Sequence, residues 1–168
     1  MRNILLTAMI SLAVQSGAAF AQDAKPEVGQ VFGDWVFRCS AKAKDTTNCA
    51  LVQTIVAEAD KHKIAQLQLV EAKEGAAPQF TLLLPLGLDA QRPITLSIDG
   101  AEALPASVKT CLPQGCVASL DLDSTIADAL AAGSSLSVVF SMANGKQDIG
   151  FNGSLKGLSD AFAAVAWF

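Results

Sequence analysis

Tyrosine is absent from this 168-residue chain, histidine occurs once, and the four cysteines never fall in a Cys-x-x-Cys spacing. Without that spacing there is neither a thioredoxin-like redox pair nor the paired knuckles of a structural zinc site. The lone His62 stands between Lys61 and Lys63 with no carboxylate beside it to orient an imidazole, so it reads as an exposed surface residue. No Gly-x-Ser-x-Gly elbow is present, and Ser134-Ser135 sits in a turn after Gly133, which leaves a serine hydrolase unsupported. Phosphate-cradling glycine loops are missing too, since Gly145 and Gly150 are too far apart and belong to a hairpin. Basic residues are sparse: 12 Lys and Arg against 16 Asp and Glu give a net charge of −4, with the cations scattered singly or in small groups. A chain of this kind offers no electrostatic footprint to nucleic acid or to an anionic membrane.

Long apolar runs are confined to the start. Met1-Arg2-Asn3 is a short basic opening, Ile4 to Val14 is apolar apart from Thr7 and Ser11, and Ala19-Phe20-Ala21 is a small-x-small cleavage site. Residues 1–21 are therefore expected to be a cleaved secretory leader, too short an apolar stretch to serve as a membrane anchor. No cysteine adjoins the cleavage point, so a lipid anchor is not expected, and no second apolar stretch predicts a membrane span. The expected product is a periplasmic or secreted protein, with residues 22–168 forming a single domain large enough for a real core.

In an oxidising compartment, Cys39, Cys49, Cys111 and Cys116 read as a disulfide framework. Three pairings are open; nearest neighbours are preferred, because Pro113 and Gly115 between Cys111 and Cys116 suit a tight turn joining adjoining segments. Loops this short contribute about 2 to 3 kcal/mol each on the chain-entropy model.

The dominant period is two. Val31, Gly33, Trp35, Phe37 and Cys39 share a face with Asp34 and Arg38 on the other, Leu67 and Leu69 oppose Gln66 and Gln68, and Ile94, Leu96 and Ile98 alternate with polar neighbours before the Asp99-Gly100 turn. Thr81 to Leu84 is a continuous run, which predicts a strand covered on both faces. Asp123 is placed to cap a short helix over 124–132 ended by Gly133, and Asn144-Gly145 marks a hairpin. Leu158, Phe162 and Val165 lie at helical spacing, with Trp167 expected against the sheet. Eight or nine strands with two short helices predict an all-β antiparallel sandwich rather than a closed barrel. The terminal Trp167-Phe168 resembles the end of an outer-membrane barrel, but a barrel needs longer strands and aromatic girdles that this tyrosine-free chain lacks.

Acidic pairs supply the remaining candidate chemistry. Asp121-x-Asp123 begins like a calcium loop, yet the required glycine is missing and the twelfth position is Ala132, so helix capping accounts for Asp123. Glu58 with Asp60, or Glu71 with Glu74, would have to converge in a cleft for a periplasmic hydrolase or glycan-acting enzyme, the alternative function. No catalytic, cofactor-binding or metal-binding residue is assigned.

The segments Phe32-Gly33-Asp34-Trp35, Arg38-Cys39, Cys49, Leu84-Pro85-Leu86-Gly87-Leu88, Ile98-Asp99-Gly100, Cys111 with Gly115-Cys116, and Ser154-Leu155-Lys156-Gly157 occur in this order along nearly the whole mature chain. The combination resembles the invasion-associated locus B family of bacterial exported proteins. Two positions depart from the pattern: Arg92-Pro93 stands where a glycine-containing turn is expected, and Leu158 where an aromatic is common. The resemblance implies an immunoglobulin-like β-sandwich in the envelope or secreted fraction, no enzymatic activity and no cofactor, in a family named for host-cell entry by some members. The expected function is a non-enzymatic module that binds a protein of the envelope or of a host surface. The loops 72–78 and 101–107 are candidate contact points.

Overall fold

The computed structural model describes residues 25–41, 47–59, 61–71, 77–145 and 147–167. Residues 1–21 of the expected leader, residues 72–76 of the first candidate loop with Glu74 among them, Asp60 and Phe168 lie outside them. Ten strands form among the described residues: β1 (Val31–Phe32), β2 (Trp35–Ala41), β3 (Thr47–Val56), β4 (Lys63–Val70), β5 (Gln79–Leu84), β6 (Ile94–Ile98), β7 (Leu104–Leu112), β8 (Gly115–Asp121), β9 (Ser135–Ser141) and β10 (Asp148–Ser154). Helix α1 (Ser124–Ala132) precedes β9, and α2 (Leu158–Val165) follows β10.

All pairings are antiparallel, in the order β1-β2-β3-β4-β5-β8-β7-β6-β9-β10. β7 makes the corner. Its first residues, Leu104 to Ala106, pair with β6, whereas Ser107 to Leu112 pair with β8. A register shift between Val108 and Thr110 marks the bend, which is how a strand passes from one sheet of a sandwich to the other. Pro105 is tolerated here because this half of β7 lies on an edge, where a missing N–H breaks no ladder.

One sheet thus contains β1 to β5, β8 and the end of β7; the other contains the start of β7, β6, β9 and β10. Their inner faces carry the alternating apolar sets into one core. Trp35, Leu51, Leu67, Leu69, Phe80 and Leu82 from the first sheet meet Ile94, Leu96, Leu136, Val138 and Phe140 from the second. The expected antiparallel sandwich of immunoglobulin-like type, with two short helices, is formed.

The far ends of the strand order meet again across the sandwich. Gln53 on β3, 5% exposed, donates from Nε2 to the Ser154 carbonyl at 2.8 Å and accepts from the Ser154 N–H at 2.9 Å. The Trp35 indole N–H donates to the same carbonyl at 3.0 Å. Beside this knot the Asp34 N–H donates to the Lys156 carbonyl at 3.1 Å. Gly33 and Gly157, both at positive φ, pass so close that a Cβ on either would collide with the other's backbone segment. The Phe-Gly-Asp-Trp and Ser-Leu-Lys-Gly segments are therefore the two halves of one junction.

Three expectations need correction. The strands number ten among the described residues because the expected run 31–39 is broken at the Gly33-Asp34 turn into β1 and β2, with Gly33 at positive φ, and because the corner strand β7 carries no clean alternation. Residues 101–107 are not one loop: only 99–103 turn, and Ala106 is fully buried in β7. β5 is not covered on both faces; Phe80, Leu82 and Leu84 are buried, while Thr81 and Leu83 face outward, half-shielded by neighbouring strands.

Candidate functional site

The disulfides brace two hairpins. Cys39 and Cys49 lie directly opposite on β2 and β3, with a sulfur–sulfur bond of 2.07 Å and Cα atoms 4.0 Å apart. Cys111 and Cys116 close the β7–β8 turn in the same cross-strand fashion, their Cα atoms 3.9 Å apart. The first bridge packs against the core, while the second has Cys116 buried and Cys111 exposed. These four residues hold structure rather than chemistry.

The other singled-out residues are dispersed. His62 is exposed at the turn into β4. The Asp123 carboxylate accepts the Ile126 N–H at 2.8 Å and caps α1, and Asp121 accepts from the Gln79 amide at 2.8 Å. Among the described residues no cluster of His, Cys, Asp and Glu is arranged to hold a metal. Glu58 is exposed on a turn, and Glu71 borders a small cleft of about 30 Å³ with Lys25 and Trp167. Trp167, half-buried, leans on Phe37 with ring centroids 6.3 Å apart.

Two larger grooves are open to solvent. One, of about 200 Å³, lies on the outer face of β2, β3 and β4 between Arg38, Asn48, Gln66 and Gln68. Both of its glutamines are engaged: Gln68 Nε2 donates to Gln66 Oε1 at 2.8 Å, and Gln66 Nε2 donates to the Thr54 hydroxyl at 3.4 Å. The other groove, also about 200 Å³, is lined almost wholly by carbon. Ile98, Ala101, Glu102 and Leu104 from the β6–β7 turn form one wall, and Thr125, Ile126 and Ala129 from α1 form the other. None of these three clefts is lined by two carboxylates.

The walls of the apolar groove are fixed before anything enters it. Asp99, in a left-handed conformation at φ 47°, accepts the N–H groups of Ser134 and Ser135 at 2.9 and 2.8 Å. Those bonds lock the β6–β7 turn to the segment that ends α1. Ser97 Oγ donates to the Ala101 carbonyl at 2.7 Å, and the Ala101 N–H donates to the Ile98 carbonyl at 2.8 Å. On the opposite wall α1 is anchored by its Asp123 cap and by Ala127 and Leu130 in the core. A preformed apolar slot with a polar rim is the usual form of a small docking site, because little ordering cost remains on binding.

The family model described as Invasion associated locus B (IalB) protein matches residues 35–166 of this chain. The chain belongs to the invasion associated locus B family. Among its relatives, an invasion protein B homolog of Brucella abortus (strain 2308) is 30% identical over 136 residues, covering 81% of this chain and 78% of that protein. Invasion protein B of Bartonella bacilliformis is 25% identical over 160 residues, covering 85% and 84%. The crystal structure of invasion associated protein b from Bartonella henselae superposes with a TM-score of 0.71 at 21% identity, covering 82% of this chain and 93% of that one. That likeness establishes the shared fold. The relatives of this locus B chain are named for invasion and not for a reaction. No helix among its described residues is long and apolar enough to cross a membrane.

Proposed function

We propose that this protein is an exported, non-enzymatic interaction module of the bacterial envelope, working in the periplasm or outside the cell after loss of residues 1–21. Residues 22–168 act as one domain whose sandwich holds a binding surface rigid. The observation that carries this reading is the preformed apolar groove between the β6–β7 turn and α1. Two disulfides suit an oxidising compartment, and the names of the Brucella and Bartonella relatives favour a partner of the envelope or of a host surface.

The test is affinity capture with the mature, oxidised protein from envelope extract and from host surface material, run beside Ala129→Trp, which fills the groove from an exposed helix position. A partner retained by the wild type and lost by the variant is expected. Retention by both proteins would move the binding surface away from the groove, whereas no reproducible partner together with turnover of a glycan or ester substrate in a parallel screen would overturn the reading.

A further inference from the structure

Charge is uneven along the stretch of chain that builds this groove. Between Pro93 and Gly145 the chain carries five acidic residues, Asp99, Glu102, Asp121, Asp123 and Asp128, and one basic residue, Lys109. Glu102 lines the groove itself, and Asp128 lies exposed on α1 three residues from Thr125, adjoining the same wall. α2, which packs against α1, adds Asp160 and no cation. Lys109 is five residues beyond Leu104 along β7, roughly 16 Å at a strand's rise per residue. That exceeds the screening length of about 8 Å at physiological salt. Lys156 lies past the C-terminal end of α1, with its carbonyl tied to the β1–β2 turn.

We infer that the groove receives a short protein segment in which a large apolar side chain is flanked by lysine or arginine. The inference rests on the interaction-module reading and names the chemistry of its partner. An apolar side chain fills the carbon-lined slot, one flanking cation meets Glu102 in its wall, and the other reaches the exposed Asp128 next to Ala129 on α1. Carboxylates around an apolar slot select against acidic partners as much as they favour basic ones, because like charges brought together at a partly desolvated rim are costly. The same logic disfavours a second copy of this chain, since its corresponding face carries the same sign.

The experiment is a fluorescence anisotropy titration of the mature, oxidised protein with three labelled ten-residue peptides. They share one leucine–phenylalanine anchor and carry lysine, glutamine or glutamate flanks. The lysine peptide is expected to bind about tenfold more tightly than the glutamine peptide at low salt, with the gap closing as salt rises. In Glu102→Lys with Asp128→Lys, both exposed changes, the preference should reverse toward the glutamate peptide. Ala129→Trp should abolish binding of all three, with its circular dichroism and melting temperature confirming the fold.

Equal affinities that all vanish in Ala129→Trp would overturn the charge inference and leave the interaction module standing. No binding by any peptide, while Ala129→Trp still captures its envelope partner, would remove the groove from both. A dimer in sedimentation that Ala129→Trp dissolves would assign the groove to self-association and overturn the basic-segment proposal.

Discussion

Gly33 and Gly157 show how a single side-chain atom decides whether this sandwich closes. A Cβ at residue 157 would collide with the Phe32 backbone, and the residue also sits at φ 86°. Gly157→Ala is expected to lower unfolding stability by about 3 kcal/mol in urea denaturation. Gly145 has a similar φ of 67° but open space around it, so Gly145→Ala should cost only about 1 kcal/mol. Equal losses would show that conformation and not close approach governs the junction. Gln53 is the other decisive residue. Replacing it with Leu puts an apolar side chain of similar size in its place but leaves the half-buried Ser154 N–H without its acceptor, for an expected loss of about 2 kcal/mol by the same assay. Nothing in the sequence marks Gln53 beyond a polar residue at an inward position of β3. Its partner lies 101 residues away.

At the scale of elements, clean alternation was readable and irregular edges were not. β6 was expected at 94–98 and occurs there, because Ile94, Leu96 and Ile98 point into the core while Thr95 and Ser97 point out. Helix α1 was expected at 124–132 from the Asp123 cap and the Gly133 stop, and both do those jobs. β7 escaped because its bulge reverses the inside–outside parity halfway along and Pro105 argues against a strand; its position on the edge of both sheets resolves that conflict. The apolar groove was half legible. Its turn and its helix were both visible in sequence, but their juxtaposition depends on the Asp99 bonds to Ser134 and Ser135. Asp99→Ala should therefore weaken peptide binding in the groove several-fold while lowering stability by only about 1 kcal/mol. Calorimetric titration beside a thermal melt separates the two effects. The cysteine hairpins are a further case. Replacing Cys111 and Cys116 by Ser should cost about 2 kcal/mol, and doing so with Cys39 and Cys49 should cost more, because that bridge closes a longer loop and packs against the core.

At the scale of the molecule, the described residues form a strip of ten strands bent at β7 and pinned shut where the β1–β2 turn meets the segment just after β10, with two disulfides and two short helices stiffening it. Its membership of the invasion associated locus B family fixes the fold and leaves function to be read from the surface. The described surface includes an apolar slot walled by the β6–β7 turn and α1, with Glu102 in its lining, and the proposed interaction role rests on it. The most direct test is the backbone amide spectrum of the mature, oxidised protein during titration with the lysine-flanked apolar peptide. Shifts concentrated at residues 98–104 and 124–130, with the outer face of β2, β3 and β4 unchanged, are the expected result. Shifts centred on Arg38, Asn48, Gln66 and Gln68, or a spectrum that does not move, would contradict the assignment of the binding surface.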